Sequence, residues 1–326
     1  KAINRAGMRK CYGSLPQAGY RLGAVVGLLL VFGCASTKQA PQDMRYTLHK
    51  DLRYGEHERQ VLDISVPDGR AQGLILFIHG GIWMYGDKSA QPLFLDTFRD
   101  RFLVASMNHR YIDDTVHMKD LLDDIHGALT GIQRFCFEQG IDPKKTVIMG
   151  HSSGAHLSML YAYQYAEASP LPLAFCVSLA GPTDLRDVAF LYSFKKLGWL
   201  KLFYDVGKKA TGHTVADGDI TDLGYGETAQ QLLAAISPLS YVGETTIPTI
   251  LVHDVADTIV PYSNSAALHH VFDAYGVEHQ FIALYSGIGH ILGAKKGNKS
   301  GALRYDAALE GRLVAAMDAY LAKYSD

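Results

Sequence analysis

The 326-residue chain holds few of the residues that staple small scaffolds: four cysteines, with no CxxC pair. His and Cys residues nowhere cluster at ligand spacing, which excludes a zinc-finger or ribbon framework, and no metal is expected. No run approaches the roughly 20 consecutive apolar residues that span a bilayer. No arginine-rich run exists, and basic and aromatic residues do not interleave, so nucleic acid is not expected as a partner. After Gln42 there is no second linker and no internal repeat.

What is present is globular. Hydrophobic residues make up 48% and charged residues 20%, enough to bury a sizeable core. The net charge of -2 conceals an asymmetry. Residues 1–33 carry five basic side chains (Lys1, Arg5, Arg9, Lys10 and Arg21) and no acidic one. The remainder holds 26 Lys and Arg against 33 Asp and Glu, a mildly acidic body unsuited to binding phosphate backbones.

The basic start leads into an apolar run, Leu22–Gly33, too short for a span but suited to the core of an export signal. Residues 1–33 read as a signal peptide, with a natural start at Met8, where MRK begins. The run ends Val31-Phe32-Gly33-Cys34, which resembles a bacterial lipobox, although Phe32 departs from the small residue usual there. Lipidation at Cys34 is therefore expected, giving a membrane anchor in the cell envelope, facing the periplasm. Ordinary cleavage to a secreted or periplasmic form is the alternative. Residues 34–45 then serve as a tether, and 46–326 as a single folded domain. Cys136 and Cys176 lie in apolar surroundings and are expected to be buried free thiols.

From Val61 onward, short β-branched runs alternate with longer helical patterns. Strands are expected at Val61–Val66, Leu74–His79, Leu103–Asn108, Thr146–Met149, Phe175–Leu179, Thr249–His253 and Gln280–Tyr285. Runs such as LILFIH suit strands buried on both faces of a parallel sheet. Helices are expected at Met118–Gln139, Ser153–Ala168, Ser263–Tyr275 and Leu303–Tyr324. The fold class is α/β, a mostly parallel twisted sheet flanked by helices. Asp187–Ile236 breaks the rhythm with the aromatic residues Phe190, Tyr192, Phe194, Trp199, Phe203 and Tyr204. It reads as an insertion over the C-terminal edge of the sheet.

Three motifs carry chemistry. Gly150-His151-Ser152-Ser153-Gly154 sits between a strand and a helix, the context of a nucleophile elbow with Ser152 at its tip. His79-Gly80-Gly81-Ile82-Trp83 follows a strand, and its glycines let backbone approach a substrate. The amides of Gly81, Ile82 and Ser153 are the candidate oxyanion hole, with His79, Gly80 and Trp83 supporting the loop. Downstream, one strand runs into Asp254-Val255-Ala256-Asp257, and another into Ser286-Gly287-Ile288-Gly289-His290. A serine needs a base, and the base needs an orienting carboxylate. His290 is the candidate base. Asp257 is favoured over Asp254 as the acid, because several residues of loop let its carboxylate turn back. His151 is expected to point away from Ser152, His156 to pack, and His253 to brace the acid loop.

With these residues the chain resembles the carboxylesterase/lipase superfamily of α/β-hydrolases. The likeness is to the branch carrying HGGxW and GHSAGAHL, which includes kynurenine-formamidase-like and bacterial feruloyl/acetyl esterase-like members. The segments here read HGGIWMYGDK and GHSSGAHL. Ser153 stands where Ala is usual, and Asp254 where Gly is frequent. Lesser matches are Asn108-His109-Arg110-Tyr111, Gly181-Pro182-Thr183-Asp184-Leu185, Ser237-Pro238 and HDVADTIVP. The resemblance implies a serine hydrolase that cleaves a small-molecule ester through an acyl-enzyme, without a cofactor. An N-formyl amide is the alternative substrate. A non-catalytic envelope binding protein on the same scaffold is the alternative from another class.

Overall fold

Eight strands form one sheet in the computed structural model. They are β1 (Tyr46–Arg53), β2 (Val61–Pro67), β3 (Leu74–Ile78), β4 (Leu103–Met107), β5 (Thr146–His151), β6 (Leu173–Leu179), β7 (Thr249–Asp254) and β8 (His279–Leu284). Their spatial order is β1-β2-β4-β3-β5-β6-β7-β8. β2 runs antiparallel to both β1 and β4, and every other neighbouring pair is parallel. The structure describes residues 45–213, 220–221, 224–285, 287, 289–292 and 307–324. The expected signal peptide and the tether up to Met44, with Cys34, lie outside them.

The continuous apolar runs are explained by layers on both faces. Along β3, Leu74, Leu76 and Ile78 enter one core, while Ile75 and Phe77 enter the other. The first core is closed by α1 (Met118–Glu138), α2 (Ser153–Tyr165) and α6 (Tyr262–Tyr275). The second is closed by a 3-10 turn, Leu93–Phe98, and the C-terminal helix α7 (Ala307–Lys323). Alternating side chains of a two-sided strand must both be apolar, so no polar stripe appears in its sequence. Cys136 and Cys176 are buried and free. No helix among the described residues is long and apolar enough to cross a membrane.

Two elements differ from the expectations above. β1 was not anticipated: its YTLHKDLR sequence has only exposed and half-buried positions, so no face is apolar. Its register on β2 is set by backbone pairing and shifts between His49 and Leu52. α2 stops at Tyr165, short of Ala168.

The segment 187–236 folds into α3 (Val188–Lys196), α4 (Leu200–Thr211), a two-residue ladder pairing Ile220–Thr221 with Gly224–Tyr225, and α5 (Glu227–Ala235). Asp187 caps α3 by accepting from the Ala189 amide at 2.8 Å. Phe190 and Phe194 are each 2% exposed and share a core with Ile82 and Trp83. That packing places the insertion over the end of the sheet where the strands finish. Tyr192 faces solvent.

Candidate active site

Ser152 directly follows β5 and directly precedes α2. Its backbone is held at φ 55 and ψ -125, a region L-residues rarely visit. Such a conformation costs of order 1–3 kcal/mol and persists only where its surroundings impose it. Here the Ser152 amide donates to Leu179 O at 2.8 Å, and its carbonyl accepts from His156 N at 3.0 Å. The turn leaves no room for side chains at its flanks. A Cβ on Gly154 would meet Ile78 O at 2.2 Å, and one on Gly150 would meet Gly154 C at 2.3 Å.

The structure brings the three separated residues into one line. Ser152 Oγ donates to His290 Nε2 at 2.8 Å. His290 Nδ1 donates to Asp257 Oδ2 at 2.8 Å. Asp257 is anchored by its other oxygen, which accepts from the amides of Ile259 at 2.8 Å and Val260 at 3.0 Å. Burial alone would push the Asp257 carboxyl up. The charge of His290 and hydrogen bonds from His253 and His290 outweigh it and hold the group well below the usual carboxylate range. Asp254 does something else: it ends β7, fully buried, and accepts from Ala256 N at 2.8 Å.

Two further histidines support this line. His253 Nε2 lies 2.9 Å from Val260 O and 3.2 Å from Asp257 Oδ2, while its Nδ1 is 2.7 Å from Ser265 Oγ. It braces the acid loop from behind. His151 points away from Ser152 and donates Nε2–H to the carbonyl of His290 at 2.9 Å. It therefore fixes the backbone of the base, a task that no local pattern announces.

The loop after β3 passes beside the elbow. A Cβ on Gly80 would stand 3.0 Å from Ser152 Cβ. Gly81, Ile82 and Trp83 have φ of 134, 54 and 59. Gly81 is obligatory: a Cβ there would meet Tyr85 O at 2.1 Å. Among the described residues the amides of Gly81, Ile82 and Ser153 donate to no protein group. These three amides are the candidate donors to an acceptor bound at Ser152. The Ser153 hydroxyl is also buried, with no hydrogen-bond partner among the described residues.

Side chains over-determine this strained loop. Trp83 Nε1 donates to His156 Nδ1 at 3.2 Å, and His156 Nε2 donates to Ile236 O at 2.7 Å. This chain ties loop, elbow helix and insertion together. His79 donates Nδ1–H to Gly80 O at 2.8 Å and stacks on His109 at 4.5 Å. Arg59 is a residue the sequence reading missed. It donates to His109 O at 2.8 Å and to Gly86 O at 3.2 Å, and lies 3.7 Å over the ring of Tyr111.

Burial holds four of these histidines neutral. It pushes His109, His151 and His156 down to about 4, and His79 well below its ordinary value of 6.5. In the unfolded chain they titrate near 6.5. Between the two values only the unfolded chain takes up protons, so stability is full above about pH 6.5 and is lost as pH falls toward about 4. The melting temperature should thus drop steeply between about pH 6.5 and about pH 4.5, with net proton uptake on unfolding. A flat melting temperature over that interval would contradict neutral burial.

Apolar side chains from the insertion pack beside the loop that follows β3. Ile82 and Trp83 form one wall of a recess whose other walls include Leu185, Phe194, Val206, Leu233 and Ile236.

Comparison with known proteins agrees with this architecture. The non-reducing polyketide synthase Preu6 of Preussia isomera is 24% identical over 268 residues, covering 67% of this chain and 12% of that protein. The chain thus spans a small part of that relative's length. Esterase LipQ of Mycobacterium tuberculosis (strain ATCC 25618 / H37Rv) is 24% identical over 287 residues, covering 79% of this chain and 65% of LipQ. Among solved structures, the inhibited esterase B of Lactobacillus rhamnosis superposes with a TM-score of 0.70 at 18% identity, covering 94% of this chain and 96% of that one. That likeness is one of fold, the α/β-hydrolase fold. The BD-FAE family model matches residues 62–272, well over half of the sequence, and the chain belongs to the BD-FAE family.

Proposed function

We propose that this chain is a serine hydrolase that cleaves small carboxylic esters through an acyl-enzyme. The observation that carries the reading is the hydrogen-bonded line from Ser152 through His290 to Asp257, set on a strained strand-to-helix turn. The esterase names among its relatives lend support.

Ser152 Oγ attacks the ester carbonyl carbon while His290 Nε2 takes its proton. The charge that gathers on the carbonyl oxygen is met by the amides of Gly81, Ile82 and Ser153, the last at a helix N-terminus. The intermediate collapses, and His290 passes its proton to the departing alcohol. His290 then deprotonates a water, which cleaves the acyl-serine and frees the acid. Asp257 orients the imidazole and stabilises it while charged. His79, Gly80 and Trp83 support the oxyanion loop.

The substrate reading is a short acyl group on a water-soluble alcohol. Phe190, which could have lined a long trough, is spent in core packing. A long chain needs apolar surface, each buried methylene adding about 0.8 kcal/mol of binding. The specificity constant should fall along p-nitrophenyl esters from butyryl to dodecanoyl. A steady rise, with a jump at the micelle threshold, would make the protein a lipase and defeat the small-ester reading.

We also propose that Cys34 carries a lipid anchor, which rests on the VFGC sequence ending an apolar run. Cys34→Ala should move the protein from the membrane fraction into the soluble fraction of the cells that make it. An unmodified mature N-terminus at Ala35 or beyond, seen by mass spectrometry, would refute lipidation while leaving export intact.

A further inference from the structure

A second cluster of chemistry lies far from Ser152. His269, His270 and Asp273 occupy the last turns of α6, and their ligand atoms fall within 4.8 Å of one another. His269 and Asp273 are four residues apart, so they share one helix face. That face meets His279, the first residue of β8. His279 Nε2 stands 2.6 Å from His269 Nδ1 and 3.7 Å from Asp273 Oδ1. Asp273 Oδ2 is in turn 3.7 Å from His269 Nε2.

His279 is prepared as a ligand. Its Nδ1–H donates to Val277 O at 2.8 Å, which fixes the tautomer and leaves the Nε2 lone pair facing His269 and Asp273. A backbone carbonyl on the far nitrogen is how proteins orient a metal-binding imidazole. The ring is otherwise held, its side chain 10% exposed and its centroid 5.1 Å from that of Phe272. Its neighbours are free to adjust, with side-chain exposures of 34% for His269 and 58% for Asp273.

We propose that His269, Asp273 and His279 form a binding site for a divalent first-row ion of the zinc class, with His270 at its rim. Two imidazoles and a carboxylate favour zinc, copper or nickel over calcium or magnesium, which prefer all-oxygen sites. Metal–ligand bonds of about 2.0–2.1 Å in a tetrahedron separate ligand atoms by about 3.3 Å. The two imidazole nitrogens must therefore spread by about 0.7 Å, Asp273 Oδ1 must close on His279 Nε2 by about 0.4 Å, and the exposed carboxylate, now beside His269 Nε2, must swing toward Nδ1. When the ion binds, His269 carries its proton on Nε2, on the side of Asp273 Oδ2, so that its Nδ1 and the Nε2 of His279 both offer lone pairs to the metal.

The place in the fold gives the ion a structural task. His279 pairs with Thr249, so both are first residues of their strands, whereas Asp257 and His290 follow the strands' other ends. Six residues of strand separate the two ends by about 20 Å. The ion would clip α6 to β8 without touching the hydrolytic chemistry.

The test is calorimetric titration of zinc into the untagged, chelator-stripped chain, beside His269→Gln/Asp273→Asn. The wild type should bind one ion per chain and melt higher as zinc is raised. The variant should bind roughly tenfold or more weakly. Its melting temperature in chelator and its hydrolysis rate should match the wild type. No saturable binding below millimolar zinc, or equal binding by the variant, would overturn the site.

Discussion

Ser152→Ala should leave a folded protein whose ester turnover is lower by on the order of 10⁴-fold or more. Among the described residues the Ser152 hydroxyl is the one hydrogen-bonded to the base His290, so no described neighbour replaces it. Ser153 is adjacent, but it opens α2, and its hydroxyl has no hydrogen bond to any described residue. The fold should tolerate the change, because the strained backbone at 152 is imposed by the bond to Leu179 O and by packing of the flanking glycines, not by the side chain. Circular dichroism and melting temperature check the fold, and steady-state hydrolysis checks the chemistry. Activity within tenfold of wild type would remove Ser152 from its role.

Asp257→Asn should lower turnover by on the order of 10³–10⁴-fold. The amide cannot stabilise a charged imidazole, and its NH₂ group facing His290 Nδ1 favours the wrong tautomer. Asp254→Asn is the matched control. The remaining amide oxygen can still accept from Ala256 N, so the loss should stay below about tenfold. The pair separates two carboxylates three residues apart, both buried, by function alone. Equal losses would move the acid role elsewhere.

The parts of the fold with a local signature were legible in the sequence. β3 and β7 are legible because burial on both faces forces LILFI and TILVH to be apolar throughout. The elbow is legible because a turn of that tightness admits only glycine at 150 and 154. β1 was missed because its partner is backbone, and backbone pairing leaves no trace in YTLHKDLR. Arg59 was missed for a similar reason. It stands in the polar stretch EHERQ, and its acceptors are main-chain carbonyls of His109 and Gly86, distant in sequence. The bond from His151 to the carbonyl of His290 spans 139 residues and could be seen only once the fold was known. The residues facing the reaction thus carry sequence patterns, and the residues that hold them in place do not.

The most direct measurement is rapid quenching of the enzyme during turnover of p-nitrophenyl acetate, followed by intact-mass and peptide analysis. An acyl-enzyme mechanism predicts one acetyl group per chain, confined to the peptide containing Ser152, appearing with a burst of p-nitrophenol and lost on further incubation. It predicts none in Ser152→Ala. Steady hydrolysis by the wild type with no covalent adduct, or an adduct on any other residue that turns over at the catalytic rate, would contradict the account.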